Sequence, residues 1–229
     1  MKYFTHVLIF ILSYLASAML YSKTSDDKLW ELVTYTGKYK QFLYQVEPQI
    51  RLINRPNAYE QFLANISGGM NVTPNLQFWL GQTFASTSLG NTAAEDISRK
   101  ALNEYRNWQQ FFWTTTYHAN TIALRSRLEE RYSLEEAPWA IRLRERGFWT
   151  MPVTKRQSLV LSDELFLNLK LVPWITTKTL DQNRAYIGIL QNLTANTAFT
   201  ISYMNQYLFK SRPESYHAIV LNIFINVPS

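Results

Sequence analysis

Two stretches of this chain, residues 119–132 and 139–151, alternate charged and apolar side chains with a period of two. In the first, Arg125, Arg127, Glu129 and Arg131 share one side, and apolar residues occupy most of the other. Because successive side chains of a β-strand point to opposite faces, each stretch predicts a strand with one charged and one apolar face. In a soluble barrel the apolar face meets the core. In a membrane barrel it meets lipid, and the charged face lines the lumen.

The rest of the chain continues the same arrangement of strands and turns. Short breaks near residues 37, 72, 118, 155 and 194 alternate with longer ones around residues 54, 90, 135, 175 and 212. We place a hairpin break at Gly68–Pro74 and a surface loop at Ser86–Asn103. Short turns at one end and long loops at the other are typical of outer-membrane barrels.

The number of strands follows from counting these segments. Eleven are visible, but bacterial outer-membrane barrels have an even number of strands. We therefore predict an all-β, antiparallel up-and-down transmembrane β-barrel of about 12 strands, with 10 as the alternative. The uncounted strand is expected near Met19–Thr36.

The N-terminus predicts a Sec-type signal peptide. Lys2 precedes the apolar run Val7–Leu15, and Ala16-Ser17-Ala18 offers small residues for cleavage. The expected organisation is a signal peptide at residues 1–18 and an outer-membrane barrel domain at 19–229. A retained signal anchor is the alternative, but the apolar run is short for a membrane span. The absence of cysteine excludes disulfides, a lipoprotein anchor and thiol chemistry.

The polar faces of the predicted strands carry nine arginines and four glutamates. Placing a basic side chain on the lipid face of a barrel costs about 2–4 kcal/mol at the bilayer midplane, so in a membrane barrel these residues must point inward. Guanidinium groups bind carboxylates bidentately, which favours a luminal network that stiffens the barrel. Surplus arginines that attract an anion are the second interpretation. The predicted luminal charged residues are Glu47, Arg51, Glu104, Arg106, Arg125, Arg127, Glu129, Arg131, Arg142, Arg144, Arg146, Glu164 and Arg184.

Five segments resemble a known family when taken in order. They are "NEYRNWQQF" at 103–111, "LRSRLEERY" at 124–132, "IRLRERG" at 141–147, "DELFLNL" at 163–169 and "DQNRAYIG" at 181–188. Together they are similar to the outer-membrane barrel family DUF2490, and the similarity covers roughly residues 28–227. The resemblance implies an exported barrel in the outer membrane of a Gram-negative bacterium. It implies no activity and no catalytic residues. The chain departs from many barrels because it ends in Val-Pro-Ser and not in an aromatic residue.

Catalytic chemistry has little support in the sequence. Ser215 and His217 share a face, but no element typical of lipid-modifying barrel enzymes accompanies them. Glu129 and Glu164 suggest a carboxylate pair, yet neighbouring arginines would make a poor general acid. No phosphate loop, metal-ligand spacing or dinucleotide motif occurs. We therefore expect no catalytic residues, no metal and no cofactor.

Two functional hypotheses from different classes remain. The first is an outer-membrane scaffold or narrow, anion-preferring pore with an Arg/Glu-lined lumen. The second is a soluble periplasmic barrel that binds a hydrophobic ligand. The first predicts outer-membrane lipid, lipopolysaccharide and the barrel-assembly machinery as partners. Nucleic acid is not an expected partner, despite the formal net charge of +6.

Overall fold

The structure, a computed structural model, describes residues 27–53, 58–88, 101–175 and 178–228. Within these ranges the chain forms eleven β-strands and no helix. Side chains that line the interior recur mostly at every second residue along the strands, which is the two-residue alternation that the sequence predicts for residues 119–132 and 139–151. The strands are β1 (Asp27–Tyr39), β2 (Phe42–Ile53), β3 (Ala58–Thr73), β4 (Leu76–Ser88), β5 (Ala101–Tyr117), β6 (Asn120–Ser133), β7 (Ala140–Pro152), β8 (Gln157–Lys170), β9 (Leu180–Asn192), β10 (Thr197–Leu208) and β11 (Glu214–Val227).

The eleven strands close into one barrel, in which each strand pairs with its neighbours along the chain. All consecutive pairs are antiparallel, whereas β1 and β11 pair in parallel, from Asp27 opposite His217 to Gly37 opposite Val227. The prediction of about 12 strands is therefore wrong, and so is the fallback of 10. The even-number rule assumes an antiparallel closure. Here the parallel ladder satisfies both edges, so an odd number of strands closes the barrel.

The two ends of the barrel differ in the length of their connections. The connections 40–41, 74–75, 118–119, 153–156 and 193–196 lie at one end, which we call the short-turn end. The strand ends that are joined by residues 54–57, 89–100, 134–139, 171–179 and 209–213 lie at the other, which we call the long-loop end. Because β1 and β11 run in the same direction, β1 starts at the long-loop end and β11 finishes at the short-turn end.

The hairpin of β3 and β4 differs from its prediction. The predicted break at Gly68–Pro74 is continuous strand as far as Thr73, and the turn is only Pro74 and Asn75. A Cβ atom at Gly69 would overlap the indole of Trp79 on the next strand. The glycine therefore makes room for a tryptophan inside the barrel and does not interrupt the strand.

The predicted surface loop at Ser86–Asn103 is shorter than expected. Residues 86–88 belong to β4 and residues 101–103 to β5. The middle of that loop lies outside the described residues. So do the predicted signal peptide at 1–18 and residues 19–26 of the segment Met19–Thr36, which was expected to hold a further strand. The rest of that segment belongs to β1. Among the residues that the structure describes, no helix is long and apolar enough to cross a lipid bilayer.

Polar and apolar side chains separate across the barrel wall. All nine strand arginines line a central cavity, and large apolar side chains such as Leu80, Leu124, Ile189 and Ile201 are about half exposed on the outside. The barrel therefore encloses a charged interior and presents an apolar exterior, which is the reverse of a protein folded around an apolar core.

Candidate functional site

The central cavity extends along the barrel and has a volume of about 1040 Å³. Its lining includes Lys38 and Val227 at the short-turn end and Arg131 and Trp174 at the long-loop end, and all eleven strands contribute to it. Aromatic side chains lie among the polar ones, including Trp30. We call this cavity the lumen.

The structure places eleven of the thirteen predicted luminal residues on the cavity surface. Glu104 and Glu129 lie behind it, almost completely buried, and accept hydrogen bonds from arginines that line it. The eleven lining residues are Glu47, Arg51, Arg106, Arg125, Arg127, Arg131, Arg142, Arg144, Arg146, Glu164 and Arg184.

The first ion-pair cluster joins β5 and β6 near the long-loop end. Arg106 donates from Nε and Nη2 to the two oxygens of Glu104, at 3.0 and 2.9 Å. Arg131 donates to the same carboxylate, from Nε and, at 3.0 Å, from Nη2. Two guanidinium forks thus converge on one buried carboxylate, and this pairing stabilises Glu104 in its charged form.

The second cluster extends across β6, β7 and β8 and is centred on Arg144. Nη1 of Arg144 donates to Glu129 at 2.7 Å, and Nε and Nη2 donate to Glu164 at 2.8 and 2.6 Å. Arg142 donates to the other oxygen of Glu129 at 2.9 and 2.6 Å. Arg125 donates to Glu164. Arg144 therefore joins two carboxylates that are each only 1% exposed.

Two weaker pairs extend this second cluster. Nη1 of Arg146 lies 3.9 Å from Glu164, and Nη1 of Arg142 lies 3.9 Å from Asp181. Asp181 was not among the predicted luminal residues, because it precedes the alternating part of β9. A register shift between β8 and β9 brings it to the cavity surface.

Three arginines of the lumen contact neutral partners instead. Arg51 donates to Gln61 and Gln49 at 2.7 and 3.2 Å. Arg127 donates twice to Gln110, at 2.9 and 2.7 Å. The third, Arg184, donates to Gln182 at 3.4 Å.

The same three arginines stack on aromatic rings. The guanidinium carbon of Arg127 lies 3.8 Å from the ring centroid of Trp108. Those of Arg51 and Arg184 lie 3.9 and 4.8 Å from the centroid of Trp30. Stacking on an indole holds a guanidinium group by cation–π attraction and leaves its charge intact.

These neutral and aromatic partners were not predicted from the sequence, and neither was one further ion pair. Lys28 pairs with Glu60 inside the barrel. The glutamines and tryptophans alternate on the inward faces in the same period as the arginines, so a count of all polar and aromatic residues on those faces would have found them. Counting charges alone did not.

The residues considered for catalysis contact other groups. Asn205 donates to the hydroxyl of Ser215 at 2.7 Å, and His217 Nδ1 pairs with the hydroxyl of Tyr203. Both Ser215 and His217 lie on the outward face of β11, since its inward residues line the lumen. Glu129 and Glu164 each accept hydrogen bonds from arginines, as described above. Among the described residues no group of three or more His, Asp or Glu side chains could hold a metal ion.

Comparisons with known proteins give one match. The model of a family described as protein of unknown function, DUF2490, matches residues 27–217, which is most of the chain and nearly all of the barrel. No curated protein and no solved structure matches.

Proposed function

The chain belongs to the DUF2490 family, and from the geometry of its barrel we propose that it is an outer-membrane protein with a narrow, anion-preferring lumen. The observation that carries the proposal is the separation of side chains across the wall, with apolar residues outside and arginines inside. The Arg/Glu network also acts as a scaffold, because it fills part of the interior and braces adjacent strands.

The outer wall has the chemistry that a bilayer requires. Leu124, Ile187, Ile201 and Ile223 are each between 44% and 54% exposed, and they lie on different strands around the barrel. All nine strand arginines point the other way. An apolar surface that surrounds a closed barrel is unfavourable in water and favourable against acyl chains.

Exposed tyrosine and tryptophan residues lie near both ends of the outer face of β5. Tyr105 is near the long-loop end of β5, and Trp113 and Tyr117 are near its short-turn end. With a rise of about 3.3 Å per residue and a strand tilt of about 40°, Tyr105 lies about 20 Å from Trp113 and about 30 Å from Tyr117 along the barrel axis. These values bracket the apolar band of about 25 Å that aromatic girdles flank in outer-membrane barrels.

The lumen supports a conducting role. The cavity reaches residues at both ends of the barrel, and arginines outnumber carboxylates on its surface. Excess fixed positive charge in a confined passage raises the local concentration of anions and excludes cations. We assign the short-turn end to the periplasm, as in other outer-membrane barrels.

Fractionation and gel migration test the location. We expect the protein in the outer-membrane fraction, released by detergent, with an unboiled band that migrates differently from the boiled one. Recovery in the aqueous periplasmic fraction without detergent would overturn the proposal in favour of the soluble barrel.

Planar-bilayer recording tests the lumen. We expect a conductance that is selective for anions. The anion selectivity should fall when Arg127, which has no carboxylate partner, is replaced by glutamine. Arg156→Gln, in the exposed turn 153–156, makes the same charge change outside the barrel and should leave selectivity unchanged. Silent bilayers with correctly folded protein would restrict the proposal to the scaffold.

A further inference from the structure

The nine arginines of the lumen fall into two groups. Six lie within 4.0 Å of a carboxylate, in the two clusters described above. Among the described residues, Arg51, Arg127 and Arg184 have no carboxylate at that distance. We call these three the uncompensated arginines. Their positive charge is not cancelled by a paired side chain.

Each uncompensated arginine is oriented by groups that carry no charge. Glutamine oxygens accept its N–H groups, and an indole face supports its guanidinium plane. A carboxylate in the glutamine position would hold the arginine equally well and would neutralise it. The neutral amide fixes the geometry and leaves the full charge directed at the cavity.

The carboxylates that remain in the lumen do not balance this charge. Glu47 lines the cavity and accepts hydrogen bonds from Thr34 and Asn65, both at 3.1 Å, instead of from an arginine. Even if Glu47 is counted against the three uncompensated arginines, two positive charges remain. Confined charges without counter-charge are unfavourable, so this part of the lumen favours a nearby anion.

The uncompensated charge is most concentrated at Trp30. Arg51 and Arg184 both stack on this ring, so their guanidinium carbons are no more than about 9 Å apart. Each of the three side chains also has a buried nitrogen without a hydrogen-bond partner: Nε of both arginines and Nε1 of the indole. Gln206 is opposite Arg184 in the strand register and has an unpaired carbonyl oxygen. Glu60, which pairs with Lys28 through its other oxygen and lies close enough to act on the charge of Arg51, adds a second unpaired acceptor. Three unpaired buried donors thus lie near two unpaired acceptors.

We propose that Arg51 on β2, Arg184 on β9 and Trp30 on β1 form a binding site for an oxyanion. Arg127, on β6 across the barrel, is a second contact for anions in the same lumen. The ligand class is a phosphate, sulfate or carboxylate group, because the guanidinium fork matches two such oxygens at once. A hydroxyl on the ligand would also satisfy the free oxygen of Gln206, which favours hydrogen phosphate over sulfate. This inference rests on the proposed function only in that it assigns an occupant to the same lumen.

Binding to the detergent-purified protein tests the site directly. Calorimetric titration with sodium phosphate, against sodium chloride at equal ionic strength, should show saturable binding. Sulfate should bind more weakly and acetate should show whether a carboxylate suffices. We expect at least a tenfold loss of phosphate affinity in Arg184→Gln and in Arg51→Gln, and no change in Arg156→Gln. Tryptophan fluorescence should change with phosphate in the unmodified protein and respond much less in Trp30→Phe.

One further variant protects the test against misfolding. Arg184→Lys retains the charge and loses the fork, so it should bind phosphate with intermediate affinity, and heat-modifiable migration checks its fold. Equal phosphate affinity in Arg184→Gln, Arg51→Gln and the unmodified protein, or a titration that never saturates, would overturn the site. Saturable binding in detergent together with silent bilayers would overturn the pore and leave the site. Anion conductance without saturable phosphate binding would overturn the site and leave the pore.

Discussion

Arg144 illustrates why the lumen uses arginine and not lysine. Its three nitrogens reach Glu129 on β6 and Glu164 on β8 at the same time, which a single ammonium group cannot do with comparable geometry. Both carboxylates are almost completely buried, so each depends on its arginine partners to remain charged. One side chain therefore connects three neighbouring strands.

Replacing Arg144 should destabilise the barrel. In Arg144→Met we expect a loss of about 3 kcal/mol in the free energy of unfolding, the lower end for a broken buried ion pair, because Arg142 and Arg125 still contact the two carboxylates. Urea titration in detergent, followed by circular dichroism, measures the change. Arg127→Met is the matched control, since its partner Gln110 is neutral, and it should lose only about 1 kcal/mol. Equal losses in the two variants would contradict the bridging role.

At the scale of the element, strand alternation directs the nine strand arginines into the lumen. It also places a few carboxylates on the outer face of the barrel. Glu145 is the clearest case: it lies between the inward Arg144 and Arg146, is exposed, and accepts a hydrogen bond from Ser126 at 2.6 Å. Asp163 on the next strand also points outward and is bound by Asn183 at 2.9 Å. A carboxylate about midway along a strand that faces acyl chains is unfavourable.

Removing that carboxylate should therefore stabilise the barrel. We expect Glu145→Leu to raise the free energy of unfolding in lipid by about 1 kcal/mol, since acidic residues on a lipid face cost less than basic ones. Glu136→Leu, in the exposed connection between β6 and β7, should leave stability unchanged. A loss of stability in Glu145→Leu, or dissociation of an oligomer, would show that this face contacts protein or water instead of lipid.

At the scale of the whole molecule, the parallel pairing of β1 and β11 decides the strand number. The register continues over eleven residue pairs without a shift, and Leu29 lies opposite Ile219 on the outward face. This ladder satisfies the hydrogen-bonding groups of both terminal strands, so no edge is left open. Because β1 and β11 run in the same direction, the start of β1 and the end of β11 lie at opposite ends of the barrel.

Cysteine pairs can test this closure, because the chain has no cysteine of its own. In Leu29→Cys/Ile219→Cys we expect a disulfide to form in the folded protein, since the two residues are direct partners across the seam. Leu29→Cys/Val227→Cys places the second cysteine eight residues along β11 and should remain reduced. Gel mobility without reductant reads both results. Cross-linking of the second pair and not the first would show that the barrel closes in another register.

The Gly68–Pro74 prediction failed for a reason that operates between strands. Glycine within a sequence usually predicts the end of a strand. Gly69 nevertheless lies inside β3, because the side chain of Trp79 on β4 occupies the space that a Cβ atom would need. Proline, by contrast, does interrupt the pairing inside β2. The β1–β2 register has no paired residues at Val33 and Thr34, opposite Pro48 and Glu47, as expected where proline has no N–H to donate.

Alternation along each segment by itself determined that this chain forms strands and which residues share a face, because the two-residue period is a property of the local backbone. The all-β class and the inward direction of the nine strand arginines follow from that local pattern, and the family follows from five segments of the sequence itself. Only the tertiary structure decided that eleven strands suffice, that Arg125 meets Glu164, and that Arg127 meets Gln110 instead of an acid. Those outcomes depend on register and closure between distant segments, and a side chain's charge does not reveal which partner the barrel brings to it.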